Sequence, residues 1–290
     1  MKDIKGIVLV SLLGFGCCLQ GAVTSPQGKL QQTFGASGIS KPALAGGGTQ
    51  NLLNTLKIYN DSIFGGGFIV FDSILYPMVY KFSASSGALL SSNYLIGFPN
   101  SNVAEVGVAF DENLLACGTV TISNQRFMVS KFLSDEYMLP LDTRFGSGGI
   151  SVFSGSTAIA GGADDICKCC VVQPDGKIVL GGYSGDTSVE NHFALVRYNS
   201  DGSLDRGFGG NGTGATFLAG HILSDGTSDT ATCIGLQSDG KIIIAGQSTN
   251  GVTTYFSLAR YTINGVLDIT FGNGGKACLT TTIAGGVQDE

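Results

Sequence analysis

The stretch RYNSDGSLDRGFGGNG at residues 197–212 returns as RYTINGVLDITFGNGG at residues 260–275. A recurring phrase of this kind decides the architecture, because a unit that cannot bury its apolar face alone must stack on a copy of itself. Its Phe-Gly pair stands at Phe34-Gly35, Phe145-Gly146, Phe208-Gly209 and Phe271-Gly272, in steps of 111, 63 and 63 residues. The long step spans two shorter units, with Leu95-Ile96-Gly97 as a degenerate copy between them. A second anchor, basic then aromatic, is Lys81-Phe82, Lys131-Phe132, Arg197-Tyr198 and Arg260-Tyr261. A third is the turn Asp175-Gly176-Lys177, repeated as Asp239-Gly240-Lys241.

Each unit reads as a strand, an Asp-Gly turn, a second strand, a variable loop, a third strand, the phrase, and a short fourth strand. Glycine supplies the positive φ that a tight hairpin turn requires. IVLGG and IIIAG are unbroken apolar runs and predict strands covered on both faces, whereas FALVRY and YFSLARY alternate only roughly and predict strands nearer an outer edge. In the phrase, Leu204, Phe208, Leu267 and Phe271 are expected to be buried between units, and Asp201 and Asn264 to be exposed at turns. The fold class expected is all-β, a propeller-like array of about four four-stranded blades, with helix confined to the N-terminal leader. If each blade borrows its first strand from the end of the preceding repeat, residues 36–90, 91–133, 147–200 and 213–262 form the four blades, leaving residues 276–284 to close a ring or start a fifth blade.

Composition agrees. The 290 residues include 45 Gly and no Trp, 43% are hydrophobic and 13% charged, a profile of many short strands and tight turns. A net charge of −6 offers no basic field, which argues against nucleic acid as a partner. At the N-terminus, Lys2 and Lys5 precede an apolar run from Gly6 to Cys18, the pattern of a secretory signal peptide cut near residue 21. The run is short for a membrane span, and no later segment is apolar enough for one. The expected address is therefore secreted, periplasmic or cell-surface.

The anchors DGK-I-V/I-x-x-G-G, A-L-x-R-Y-x-x-D-G-x-L-D and F-G-x-x-G resemble the delta-60 repeat, a propeller-like unit of unknown function found mainly in bacterial secreted and surface proteins. The resemblance is close over residues 163–290, looser over 102–162 and weak over 49–101. It shrinks to a tail in 27–48, where GKLQQTFGASG echoes GSLDRGFGGNG. It divides the chain into a leader (1–21), a partial repeat (22–48), a degenerate repeat (49–101) and three repeats (102–162, 163–225 and 226–290), with 27–290 as one domain. It implies a fold and an extracytoplasmic setting, and it brings no catalytic residue.

No residue set predicts a catalytic centre, a cofactor or a metal. Asp205 and Asp268 invite a calcium reading, but their turns lack the ligand density such a loop needs, and they read as structural. In CKCC at 167–170, strand alternation places Cys167 and Cys169 on one face and Cys170 on the other, so the three do not converge without a bulge. Cys169 recurs as Cys233 one unit later, so both are expected to be small buried strand residues, with Cys117 and Cys278 alike. In an oxidising compartment some of these six cysteines can pair. His192 and His221 are the two histidines, both in loop-like stretches, and either could be functional. GYSGD at 182–186 is a loop lookalike of the nucleophile elbow. Asp164-Asp165 and Asp289-Glu290 fall at matching boundaries between units and read as solvated turn residues.

The expected function is a non-catalytic module contacting a protein or surface glycan, through the variable segments 119–126, 183–192 and 247–255. The alternatives are a polysaccharide hydrolase or lyase with acids on those loops, and a calcium-stabilised adhesion module.

Overall fold

The computed structural model describes residues 50–279, except 96, 110, 135–138, 154–158, 161–163 and 187–189. The leader, Phe34 and Gly35, and the Asp289-Glu290 pair lie outside the described residues. The strands form four four-stranded antiparallel sheets. The first is β1 (Gln50–Tyr59), β2 (Ser62–Phe71), β3 (Ile74–Ser83) and β4 (Leu89–Tyr94). The second is β5 (Asn102–Val108), β6 (Leu114–Thr121), β7 (Gln125–Phe132) and β8 (Ile150–Val152). The third is β9 (Asp164–Val172), β10 (Ile178–Asp186), β11 (Glu190–Tyr198) and β12 (Ala215–Phe217). The fourth is β13 (Ser228–Leu236), β14 (Ile242–Thr249), β15 (Thr254–Tyr261) and β16 (Lys276–Cys278). Among the described residues the one helical element is a 3-10 turn, Phe208–Gly210. The all-β, propeller-like fold is thus present, as four four-stranded blades.

No blade borrows a strand. The segments after Phe145-Gly146, Phe208-Gly209 and Phe271-Gly272 each return to their own sheet, β8 on β7, β12 on β11 and β16 on β15. The phrase explains why. Three backbone hydrogen bonds recur in it: Arg197 N to Gly214 O, Asp205 N to Arg197 O, and Phe208 N to Asp205 O, with matching bonds from Lys131, Asp142 and Phe145 and from Arg260, Asp268 and Phe271. Tyr198 bridges to Leu204, and Tyr261 to Leu267. The chain therefore doubles back along its third strand and can only deliver the fourth beside it.

The phrase also seats one sheet on the next. Gly146 N donates to Asp201 O (2.7 Å) and, one repeat on, Gly209 N donates to Asn264 O (2.8 Å). Gly202 and Gly265 have φ of 85° and 79°, and a Cβ at Gly265 would strike the Phe208 ring. Phe145 and Phe208 are fully buried and lie beneath the cationic groups of Lys131 and Arg197. Phe271 lies under Arg260 in the same way but is half-buried, as are Leu204 and Leu267. Asp201 and Asn264 are exposed, as expected of turn tips. The Asp-Gly turns close with Gly176 at φ 84° and Gly240 at 81°. Tyr198 and Tyr261 are buried, which pushes both phenols well above their usual range.

Ile178–Gly182 is buried on both faces, as its apolar run predicts. Phe193–Tyr198 is too, so FALVRY is an inner strand covered on both sides, flanked outward by the short β12.

The alternation expected at CKCC fails because β9 carries a bulge. Cys169 pairs with Gly181 and Cys167 with Gly182, leaving Lys168 extra. Cys167 and Cys170 therefore pack with the second sheet's core, while Cys169 lies near Ile234 and Ile244 of the fourth. The same bulge recurs at Thr232 in β13 and at Asn54 in β1. Opposite each stands a glycine, Gly182, Gly246 or Gly67, whose Cβ would overlap the carbonyl oxygen of Ile166, Thr230 or Leu52. Of the six described cysteines, Cys117, Cys167 and Cys169 are buried, Cys170 and Cys278 half-buried, and Cys233 is exposed, against the burial expected of it. The chain divides into two compact units, residues up to Val106 with Leu133–Pro140, and Gly107–Phe132 with the remainder from Leu141.

Candidate functional site

The Asp164-Asp165 pair is not a solvated turn. Asp164 Oδ1 accepts the Gln125 amide (2.8 Å), and Asp165 is fully buried at the start of β9, opposite Ser184 in β10. Buried carboxylates need partners. Asp165 Oδ1 accepts the Ile159 amide (2.8 Å), Ser184 Oγ accepts the Ala160 amide (2.8 Å), and Arg126 Nη1 lies 3.8 Å from Oδ2. Burial pushes the Asp165 carboxyl above its usual range against the pull of Ser184, the Ile159 amide and Arg126. Asp165 thus ties the connection between the second and third sheets to the strand that follows it.

One repeat on, Asp229 sits opposite Ser248 and accepts the Ile222 amide (3.3 Å), the same tie in the next connection. The completion differs. His221 takes the neighbouring place, its Nδ1 3.1 Å from Asp229 Oδ2. The His221 ring stacks on His192 of β11, with centroids 4.7 Å apart and planes 15° from parallel. Asp229 Oδ1, Ser248 Oγ and His192 Nδ1 are buried without a hydrogen-bond partner. Burial, then the neighbouring His221, pushes His192 below the usual imidazole range, and Asp229 and Glu190 oppose that. The ligand atoms of His192, His221 and Asp229 lie within 4.8 Å of one another.

Beside this cluster is a cleft of about 800 Å³, lined by residues 221–225, Asn250, Tyr255, 272–274 and 276–278. Lys276 Nζ donates to the carbonyls of His221 (2.9 Å) and Ala219 (3.3 Å), and Asn250 Nδ2 to Asp225 Oδ2 (3.0 Å). These bonds hold the connection, a hairpin tip and the last strand against each other.

Of the variable segments expected to make contact, 119–126, 183–192 and 247–255 include the tips of the β6–β7, β10–β11 and β14–β15 hairpins. Only 247–255 reaches the cleft, through Asn250 and Tyr255, while 183–192 contributes His192 to the cluster. The rest of the lining comes from the β12–β13 connection, residues 272–274 and β16. GYSGD belongs to β10, where a strand replaces the loop expected. Asp205 and Asp268 are occupied by the protein's own cations: Arg197 at 2.8 Å and Lys177 at 3.2 Å for the first, Arg260 at 2.9 Å and Lys241 at 3.2 Å for the second.

Residues 173–208 and 237–271 match the family model described as Domain of unknown function (DUF5122) beta-propeller. No curated protein matches the chain. Among solved structures, it is similar to the polysaccharide lyase Uly1 (14% identity, TM-score 0.41, covering 81% of this chain and 56% of that one). It is also similar to the alpha-L-arabinofuranosidase PaAbf62A from Podospora anserina (12% identity, TM-score 0.43, 81% and 70%). A third is the xylan beta-1,4-xylosidase from Bacillus halodurans C-125 (12% identity, TM-score 0.45, 75% and 43%). The chain thus spans little more than half of the lyase and less than half of the xylosidase. The family match and the four four-stranded antiparallel sheets agree on a β-propeller repeat protein.

Proposed function

We propose that this is an extracytoplasmic β-propeller-like binding module that holds a glycan, without turning it over, in the cleft between residues 221–225, the β14–β15 tip and residues 272–278. The observation that carries the reading is the composition of that cleft. Tyr255 offers an aromatic face, and Asn250, Asn273, Asp225, Ser224 and Lys276 offer donors and acceptors around it. An apolar platform edged by a few polar groups suits a sugar ring, which has an apolar face and a rim of hydroxyls. The leader-like N-terminus supports an extracytoplasmic setting.

The hydrolase alternative needs two carboxyl groups about 5–9 Å apart. Among the described residues lining the cleft, Asp225 is the one carboxylate, which favours binding over hydrolysis. Affinity electrophoresis of the purified chain through gels containing a panel of soluble polysaccharides tests the reading. At least one polysaccharide should retard the chain, and Tyr255→Ala should weaken retardation about tenfold with an unchanged melting temperature. Retardation that survives Tyr255→Ala, Asn250→Ala and Asp225→Asn would place the surface elsewhere. Release of shortened oligosaccharides would replace the binding role with an enzymatic one.

A further inference from the structure

We propose that His192, His221 and Asp229 bind one divalent transition-metal ion of the zinc class, independently of what the cleft holds. The three come from β11, the β12–β13 connection and β13, and each presents a ligand atom within 4.8 Å of the others. Two observations point to a ligand. Asp229 is 0% exposed, yet its Oδ1 has no hydrogen-bond partner, and the buried Nδ1 of His192 has none. Leaving both unpaired is costly unless something else engages them.

The preceding repeat supplies the comparison. Asp165 does the same structural work as Asp229, with Arg126 beside its second oxygen and a loop amide on its first. In the fourth sheet two imidazoles, those of His221 and His192, stand beside Asp229. Asp165 Oδ2 also lacks a hydrogen bond, but a cation stands beside it; next to Asp229 the neighbouring groups are metal-ligating imidazoles.

Two imidazoles and one carboxylate suit zinc, cobalt or nickel, whereas calcium takes six to eight oxygens. Two ligand atoms each about 2.1 Å from a tetrahedral ion lie roughly 3.4 Å apart. His221 Nδ1 and Asp229 Oδ2, at 3.1 Å, already have nearly that spacing, and a carboxylate seated on the ion through both oxygens engages the unbonded Oδ1 as well. The third ligand is less ready. Because the two rings are close to parallel, their in-plane lone pairs lie in separate planes and cannot meet at one ion. Binding therefore turns the His192 ring out of the stack, and its Nδ1 has no hydrogen bond to lose in doing so. As the ion takes the Nδ1 lone pair, neutral His221 keeps its one ring proton on Nε2, and water fills the fourth position. The Lys276 ammonium, 2.9 Å from the His221 carbonyl, opposes the incoming charge, and the Asp229 carboxylate offsets it.

The test uses the full chain, stripped of metal and carrying Cys233→Ser and Cys278→Ser so that accessible thiols do not compete. Titration with zinc chloride by calorimetry should show one ion per chain. Cobalt should give the visible bands of a four-coordinate site without a thiolate charge-transfer band. His192→Ala and His221→Ala should each weaken zinc at least tenfold, and His192→Ala should leave the metal-free melting temperature unchanged. Asp229→Asn also removes a buried tie between strand and loop, so the histidine variants carry the test. No uptake of zinc, an affinity unchanged in both histidine variants, or displacement of zinc by equimolar calcium would each overturn the proposal.

Discussion

Arg197 and Arg260 occupy the same place one repeat apart, but only Arg197 reaches across a seam. Its Nε donates to Asp205 and its Nη1 to Ile263 O (2.7 Å) of the following repeat, with the guanidinium over Phe208. Arg260 pairs with Asp268 and stacks on Phe271 within its own repeat. Replacing Arg197 by Met removes its bonds to Ile263 O and Gln173 Oε1 and leaves the buried side of Asp205 without its guanidinium, so it should cost about 3 kcal/mol. Arg260→Met should cost about 1 kcal/mol, the range of a partly exposed pair; urea denaturation of the two variants reads the difference. The carboxylates of these anchors predict a pH profile. A hydrogen bond from Arg144 lowers Asp142, and one from Thr270, with Lys241 and Arg260, lowers Asp268. Burial raises Asp205, but Lys177, the Gly207 amide and Arg197 outweigh it, and its net shift is downward. A carboxyl depressed in the folded state stabilises above its unfolded pKa of about 3.9, and that stabilisation fades as pH falls through the folded value. Asp165, which is raised, acts oppositely, losing stability as pH rises through its folded value. Because the lowered carboxylates outnumber the raised ones, the melting temperature should fall below about pH 4. A midpoint constant down to pH 2 would contradict this. The sequence shows the basic-aromatic anchor and the recurring Asp, but not their pairing, because an Asp in a Gly-rich turn looks the same whether it faces water, calcium or arginine.

The bulge is where reading strands from sequence breaks down. Alternation assigns Cys167 and Cys169 to one face, and the extra residue Lys168 sends them to opposite ones. Nothing in Lys168, Thr232 or Asn54 marks them as bulged, since the three share no chemistry. The signal lies across the ladder, in the glycine each bulge faces. Gly182→Ala should therefore destabilise by about 2 kcal/mol or more, as overpacking against backbone does. Gly235→Ala, in β13 with nothing near the added methyl, should change stability by less than about 0.5 kcal/mol. Equal midpoints for the two variants in denaturant would mean the bulge adapts freely. The bulge also shows that the first sheet shares the ladder geometry of the others, although its sequence keeps few of their anchors.

Across the molecule, each repeat is legible from its anchors, while the candidate site is not. His192 and His221 lie on different elements, and only the stacking of one repeat on the next brings them together. Asp229 repeats the place of Asp165, and that recurrence is the sequence signal by which it can be found. The outward face of the last sheet shows what the stacking does. Val179, Phe193 and Leu195 of the third sheet are buried in a core shared with Ile242 and Ile244 of the fourth. Their counterparts Ile243 and Leu258 are half-buried, and Phe256 is 44% exposed where Phe193 is 0%. Cys233 is exposed for the same reason, although its counterpart Cys169 is buried. Phe193→Ala should therefore cost about 3 kcal/mol or more and Phe256→Ala less than about 1 kcal/mol, measured as shifts in the unfolding midpoint. Among the described residues of the second compact unit, the fourth sheet packs on the third, and the third packs on both the second and the fourth. In a chain of units coupled to their neighbours, a one-sided unit opens first and reseals against its neighbour as a template. Amide hydrogens of β14 should thus exchange with solvent sooner than those of β10.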